Sequence, residues 1–173
     1  MDFILEQEKD QIELITFNSL EEMKPYYNKD TNTYNFSEKV EQQVEINFNL
    51  DIESNIEALS IKAKHIKAKN IDVLRGIKSK DIIAENITAG WGIYSWDITA
   101  KDIDSHTIRA QNIKANNIYS CNIHASSINA NDIDFHDICF AYESFVCNSI
   151  KGRRKNHKYF CLDSEVIIKS ENI

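Results

Sequence analysis

The sequence predicts an all-β solenoid built from five-residue sides, with short segments closing its two ends. Three observations predict it. From residue 56 to 138 an isoleucine recurs seventeen times, every gap being five except the gaps of six before Ile77 and Ile93. The residue ahead of it is Asn or Asp in eleven of the seventeen cases, and the residue two after it is Ala or Ser at fourteen of the sixteen positions from 58 to 135. The chain of 173 residues holds only four Gly and one Pro. Its many turns therefore fall to Asn and Asp, which tolerate left-handed backbone angles and bond to their own neighbours.

Period five fits neither an amphipathic helix, at 3.6, nor a long flat strand, at 2. It fits a short extended piece followed by a corner. Residues two apart on extended backbone point the same way, so each Ile and the small residue after it face one interior. The residue between them faces out, which is why that position accepts Lys, Glu, Asp, Thr, Tyr, Arg or His. The remaining two residues turn the corner.

The central aliphatic residue with Asn or Asp directly before it resembles the repeat of the pentapeptide-repeat proteins, over roughly residues 52 to 150. That resemblance implies a right-handed quadrilateral β-helix with four sides per coil. One feature departs from the family: the small residue lies two after the centre instead of two before it. A three-sided coil is the alternative. With four sides, the coils make a little over four turns and a rod of roughly 20 Å. Outward residues then stack as Glu57, Lys78, Thr99, Tyr119 and as Asp72, Tyr94, Lys114, Asp134, which sets Glu57 over Lys78 and Lys114 over Asp134.

The flanks divide the chain into an N-terminal cap (1–51), the solenoid (52–150) and a C-terminal cap (151–173). In the first, Val44, Ile46, Phe48, Leu50 and Ile52 alternate with polar residues, which predicts a strand over 44–52 leading into the first coil. Ser19 with Glu22 three residues on is a capping-box signature for a short helix over LEEM, and Pro25 should end that helix early. After Ile138 the period fails. Phe145 and Ile150 read as one further side, and a polar loop from Gly152 to Lys158 joins two β-rich pieces in what reads as a closing hairpin. Phe140, Tyr142, Phe145, Tyr159 and Phe160 offer bulky groups to cap the stack or to pair with a second copy. The resemblance implies a homodimer through that end.

No apolar run approaches the ~18 residues of a membrane span, and the acidic start MDFILEQEKD lacks the form of a secretory signal. The expected location is the cytoplasm, where Cys121, Cys139, Cys147 and Cys161 stay reduced. With no CxxC spacing among them, no metal is expected. Five histidines (65, 106, 124, 136, 157) assemble no catalytic set in the four-sided register, where His106 and His136 fall on opposite sides. Neither an enzyme nor a cofactor is expected.

Two groups of residues remain as candidate interaction sites. Trp91, Tyr94 and Trp96 cluster at the second six-residue gap, and Trp and Tyr are favoured at binding hot spots. Lys151, Arg153, Arg154, Lys155 and Lys158 form a basic loop able to contact an anion or nucleic acid. A further set of cations, Lys62, Lys64, Lys67, Lys69, Arg75, Lys78 and Lys80, reads as a solvated wall. The expected function is a non-enzymatic protein-interaction scaffold. The alternatives are a topoisomerase-binding DNA mimic, or nucleic-acid binding through the basic loop. Residues 52–138 carry ten Lys or Arg against eleven Asp or Glu, too near neutrality for a mimic, and nucleic acid is not the expected partner.

Overall fold

A computed structural model describes residues 13–36 and 42–169. Strands of two to ten residues, and one unbroken run over Asp97–Cys147, follow one another around corners. Apart from Tyr27–Asn28, which lies antiparallel on Thr33–Asn35, each pairs parallel with a strand of the neighbouring coil. The result is a mostly-β solenoid of about seven turns with little helix.

The register decides the number of sides. Ile61 pairs with Ile77, Ile77 with Ile93 and Ile93 with Ile108. A second wall stacks Ile56, Ile71, Ile87 and Ile103, and a third stacks Ile66, Ile82 and Ile98. A coil therefore consumes fifteen or sixteen residues, three sides and not the four that the resemblance implied. Seven such coils at ~4.8 Å give a rod of roughly 30 Å, longer than the expected 20 Å. The expected pairs Glu57 with Lys78 and Lys114 with Asp134 do not form, because residues twenty apart stand on different walls. Glu57 instead lies beside Asp72.

The inward assignment agrees with the observed burial from Ile56 through Ile133, where every isoleucine of the series is at most 2% exposed. Three walls leave a narrow interior, so each side can bring one large residue and one small one. Serine serves as well as alanine at the small position because its hydroxyl finds backbone. Ser95 Oγ lies 3.0 Å from the carbonyl oxygens of both Lys80 and Asp97, and Ser79 Oγ lies 2.9 Å from that of Asp81. The Asn and Asp ahead of the isoleucines bond from coil to coil. Asn70 Nδ2 donates to Asn55 Oδ1 at 2.8 Å, and Asn117 and Asn112 donate to Asp102 and Asp97 at 2.6 Å. Such side-chain bonds accompany the backbone ladder along the corners ahead of the Ile56 and Ile66 walls.

Both six-residue gaps fall at the same corner, between the Ile56 and Ile61 walls. Sixteen residues separate them, so the extra residues stack and Gly76 pairs with Gly92. Backbones crowd here: a Cβ on Gly90 would stand 2.2 Å from the Leu74 carbonyl oxygen.

At the N-terminal end the segment expected as one straight strand is bent. A strand over Gln42–Asp51 sets Val44 beside Ile61, breaks register between Ile46 and Asn49, and resumes with Leu50 beside Ile66. It thus runs along two walls of a coil, while Thr33–Asn35 lies along the third, Tyr34 beside Ile56. Glu13–Phe17 adds one more parallel strand on Gln42–Asp51. The helix Leu20–Met23 forms as expected, with Ser19 Oγ accepting from the Glu22 amide at 3.4 Å. The Glu22 carboxylate accepts from the Asn18 amide at 2.8 Å, one residue earlier than the usual box. Pro25 lies in the 3-10 turn Lys24–Tyr26 that ends the helix. Met23, Phe17 and Phe36 are buried, and the rings of Phe17, Tyr26 and Phe36 meet at 5.2–5.4 Å to plug this end. The acidic start over residues 1–10 lies outside the described residues.

Toward the C-terminus the side lengthens to six. The inward pairs become Ile133 with Phe135, Cys139 with Ala141, and Phe145 with Cys147, all at most 1% exposed. Ile138, expected inward, is instead 37% exposed at a corner, and Cys139 takes its place. Phe135 is the physical reason: a ring at the small position needs a wider coil. Nor do the last strands form a hairpin. Ser149–Gly152, Lys158–Cys161 and Val166–Ile168 each pair parallel with residues 132–147, as one more coil. Tyr159 and Ile168 hold inward positions of that coil yet are 39% and 45% exposed, so among the described residues this end is open.

Candidate interaction face

Three-sided closure sorts the outward side chains onto three walls of different character. On the Ile61 wall the outward residue between the two inward ones is Glu45, Lys62, Lys78, Tyr94 and Arg109 in successive coils. The corners on either side of this wall add Arg75 and Trp91, whose backbones are joined by a hydrogen bond, and Lys64, Lys80 and Trp96, joined likewise. Lys62 is paired with Glu45.

Each ring is set over or beside a cation. The Arg75 guanidinium lies 5.1 Å from the Trp91 ring, Lys80 Nζ 4.9 Å from Trp96, and the Arg109 guanidinium 5.9 Å from Tyr94. Contacts at such distances hold both partners in place for roughly 0.5–1 kcal/mol at exposed sites. The rings stay open to solvent nonetheless: Trp91 is 67% exposed and Trp96 54%. Cations that the sequence presented as a solvated wall stand beside these rings, and only the fifteen- to sixteen-residue coil brings the two groups together.

Farther along the same wall the cations give way to rings. His124 lies 4.5 Å from Phe140, which stacks on Phe160 at 5.4 Å. Burial, and then the charge of Arg109, hold the His124 pKa below its ordinary value. The expected capping groups Phe140, Tyr142 and Phe160 therefore line the outside, while Phe145 is core.

The Ile56 wall is acidic, with Glu57, Asp72, Asp104 and Asp134 facing out. Its far end meets the basic loop, which is tied down and not free. Arg153 Nε donates to Asp134 at 2.6 Å, and Arg154 lies 2.8 Å from Asp137. His157 packs edge-on against the buried Phe135 at 5.7 Å, in space left by Gly152. Lys151, Lys155 and Lys158 remain exposed.

His106 and His136 do not lie on opposite sides. They share the corner that follows the Ile56 wall, two coils apart, with Cys121 between them. Cys139 and Cys147 are core residues whose thiols burial pushes up. No family model, curated protein or solved structure matches the chain.

Proposed function

We propose that the chain is a non-enzymatic protein-interaction scaffold that docks an acidic partner protein on its Ile61 wall. The observation that carries this reading is the row Trp91, Tyr94, Trp96, exposed and edged by Lys64, Arg75, Lys78, Lys80 and Arg109. Trp, Tyr and Arg are the residue types that carry most binding energy at protein interfaces. Here they project from a backbone that cannot shift one coil without breaking the ladders beside it, so little ordering is left to oppose binding. A cytoplasmic setting, which would keep the four thiols reduced, belongs to this reading. So does a kinship with pentapeptide-repeat proteins through the five-residue side, despite the three-sided coil.

The same interleaving of cations and rings favours a second reading, single-stranded nucleic acid on this wall. The DNA-mimic alternative would use the Ile56 wall. Even with Asp102 and Asp132 at its corner, six carboxylates over roughly 30 Å fall far short of one charge per ~1.7 Å. A homodimer through the open C-terminal coil would have to bring Lys151, Arg153, Lys155 and Lys158 of two copies together, which opposes it.

Affinity capture from the native host with the wild type, Trp91→Ala/Trp96→Ala and Lys78→Glu/Arg109→Glu tests the proposal. A protein retained by the wild type and lost from both variants is expected. Retention of the same proteins by all three would refute the face, and tight, salt-sensitive binding of an oligonucleotide to the same wall would promote the second reading.

A further inference from the structure

We propose that His106, Cys121 and His136 form a zinc site on the outer corner that follows the Ile56 wall. The site is separate from the Ile61 wall's aromatic row and does not rest on the docking proposal. The three residues follow the inward Ser105, Ser120 and Phe135 and so take the same place in three successive coils. Earlier coils put Leu74 and Gly90 there. Coils stack at ~4.8 Å, so one thiol has an imidazole on either side along the axis.

The donor separation, a thiol–imidazole hydrogen bond as it stands, is one that zinc would accept. Cys121 Sγ lies 3.7 Å from His136 Nδ1. Around a tetrahedral zinc, with Zn–S near 2.3 Å and Zn–N near 2.0–2.1 Å, a sulfur and a nitrogen donor stand roughly 3.6 Å apart. The pair is thus already spaced as a shared zinc would space it. Both side chains are half-buried, while His106 is exposed. Among the described residues no three donors converge on one point as they stand. His106 closes the site by a rotamer change, a motion exposed side chains make within nanoseconds. Asp104 and Asp134 line the same groove, and Asp134 is held by Arg153 at 2.6 Å. Three protein donors leave the fourth tetrahedral position to water or to a group brought by a partner.

Binding requires the thiolate. The Cys121 thiol proton passes to solvent as the Zn–S bond forms, and both imidazoles coordinate in their neutral form. Soft and borderline ligands of this kind select zinc over magnesium or calcium. Neither Cys139 nor Cys147 competes, since both are fully buried.

The test is a titration of the reduced, chelator-stripped full chain with Co2+, followed by displacement with Zn2+. One equivalent of cobalt giving a thiolate-to-metal charge-transfer absorption, bleached by zinc, is expected. Cys121→Ser should abolish the absorption and Cys161→Ser should leave it intact. Because loss of a mere outer-shell partner costs about 10–100-fold in affinity, His106→Ala and His136→Ala should each weaken binding at least about tenfold. Unchanged metal-free melting temperatures would show that these outward variants fold. Absence of the absorption in the wild type would mean a thiol–imidazole hydrogen bond and nothing more. Its persistence in Cys121→Ser, or wild-type affinity in His106→Ala, would equally overturn the three-donor site.

Discussion

Adjacent residues 138 and 139 give the sharpest test of the coil. The repeat pattern puts Ile138 inside, whereas the fold puts Cys139 there, 0% against 37% exposed. Cys139→Asp would place a carboxylate in the buried apolar core, at a cost of several kcal/mol. Ile138→Asp changes a corner side chain that water already reaches, so it should cost less than about 1 kcal/mol. Ile103→Ala supplies the scale for a true inward isoleucine. That residue is 0% exposed, with Ile87 in register on the next coil, and truncation of such a residue typically costs ~2–5 kcal/mol. Urea denaturation followed by far-UV circular dichroism would rank the three variants by midpoint. The expected order of stability is Ile138→Asp, close to wild type, then Ile103→Ala, then Cys139→Asp. If Ile138→Asp unfolded early while Cys139→Asp matched wild type, the five-residue step would continue through 138 and the six-residue sides would be wrong.

Two further outcomes follow from particular contacts. Gly90→Ala would drive a Cβ to 2.2 Å from the backbone oxygen of Leu74, where only a backbone shift can make room. A thermal melt should show it destabilised by ~1–3 kcal/mol, and a wild-type melt would contradict the crowded corner. Burial and Arg109 depress the His124 pKa in the fold. Above the free value of about 6.5 the imidazole is neutral in both states. As pH falls through that value, the unfolded chain binds the proton first, so stability declines until the folded pKa is passed. Melting temperatures at about pH 7.5 and about pH 5.5 should therefore differ more for wild type than for His124→Gln, and an equal difference would exclude this linkage.

What the sequence alone determined, from Ile56 as far as Ile133, is the local rule: which residues face in, which face out and which turn. Alternation on extended backbone requires nothing beyond neighbours in the chain, so Ile61 and Lys62 could be assigned before any fold was known. How many sides close a coil is a different kind of quantity. It depends on corner angles and on how many isoleucines fill one cross-section, and a side of five residues reads the same in a triangle as in a square. That one number governs which residues fifteen or more apart meet. With fifteen or sixteen residues per coil, Glu57 meets Asp72 instead of Lys78, Trp91 meets Arg75, and Cys121 meets His136. The N-terminal helix was legible because a cap acts within four residues, Ser19 on Glu22. The last strands were not, because a polar loop can carry a chain around a corner as readily as back on itself. Only the preceding coil, offering residues 132–147 as a parallel edge, decided between them.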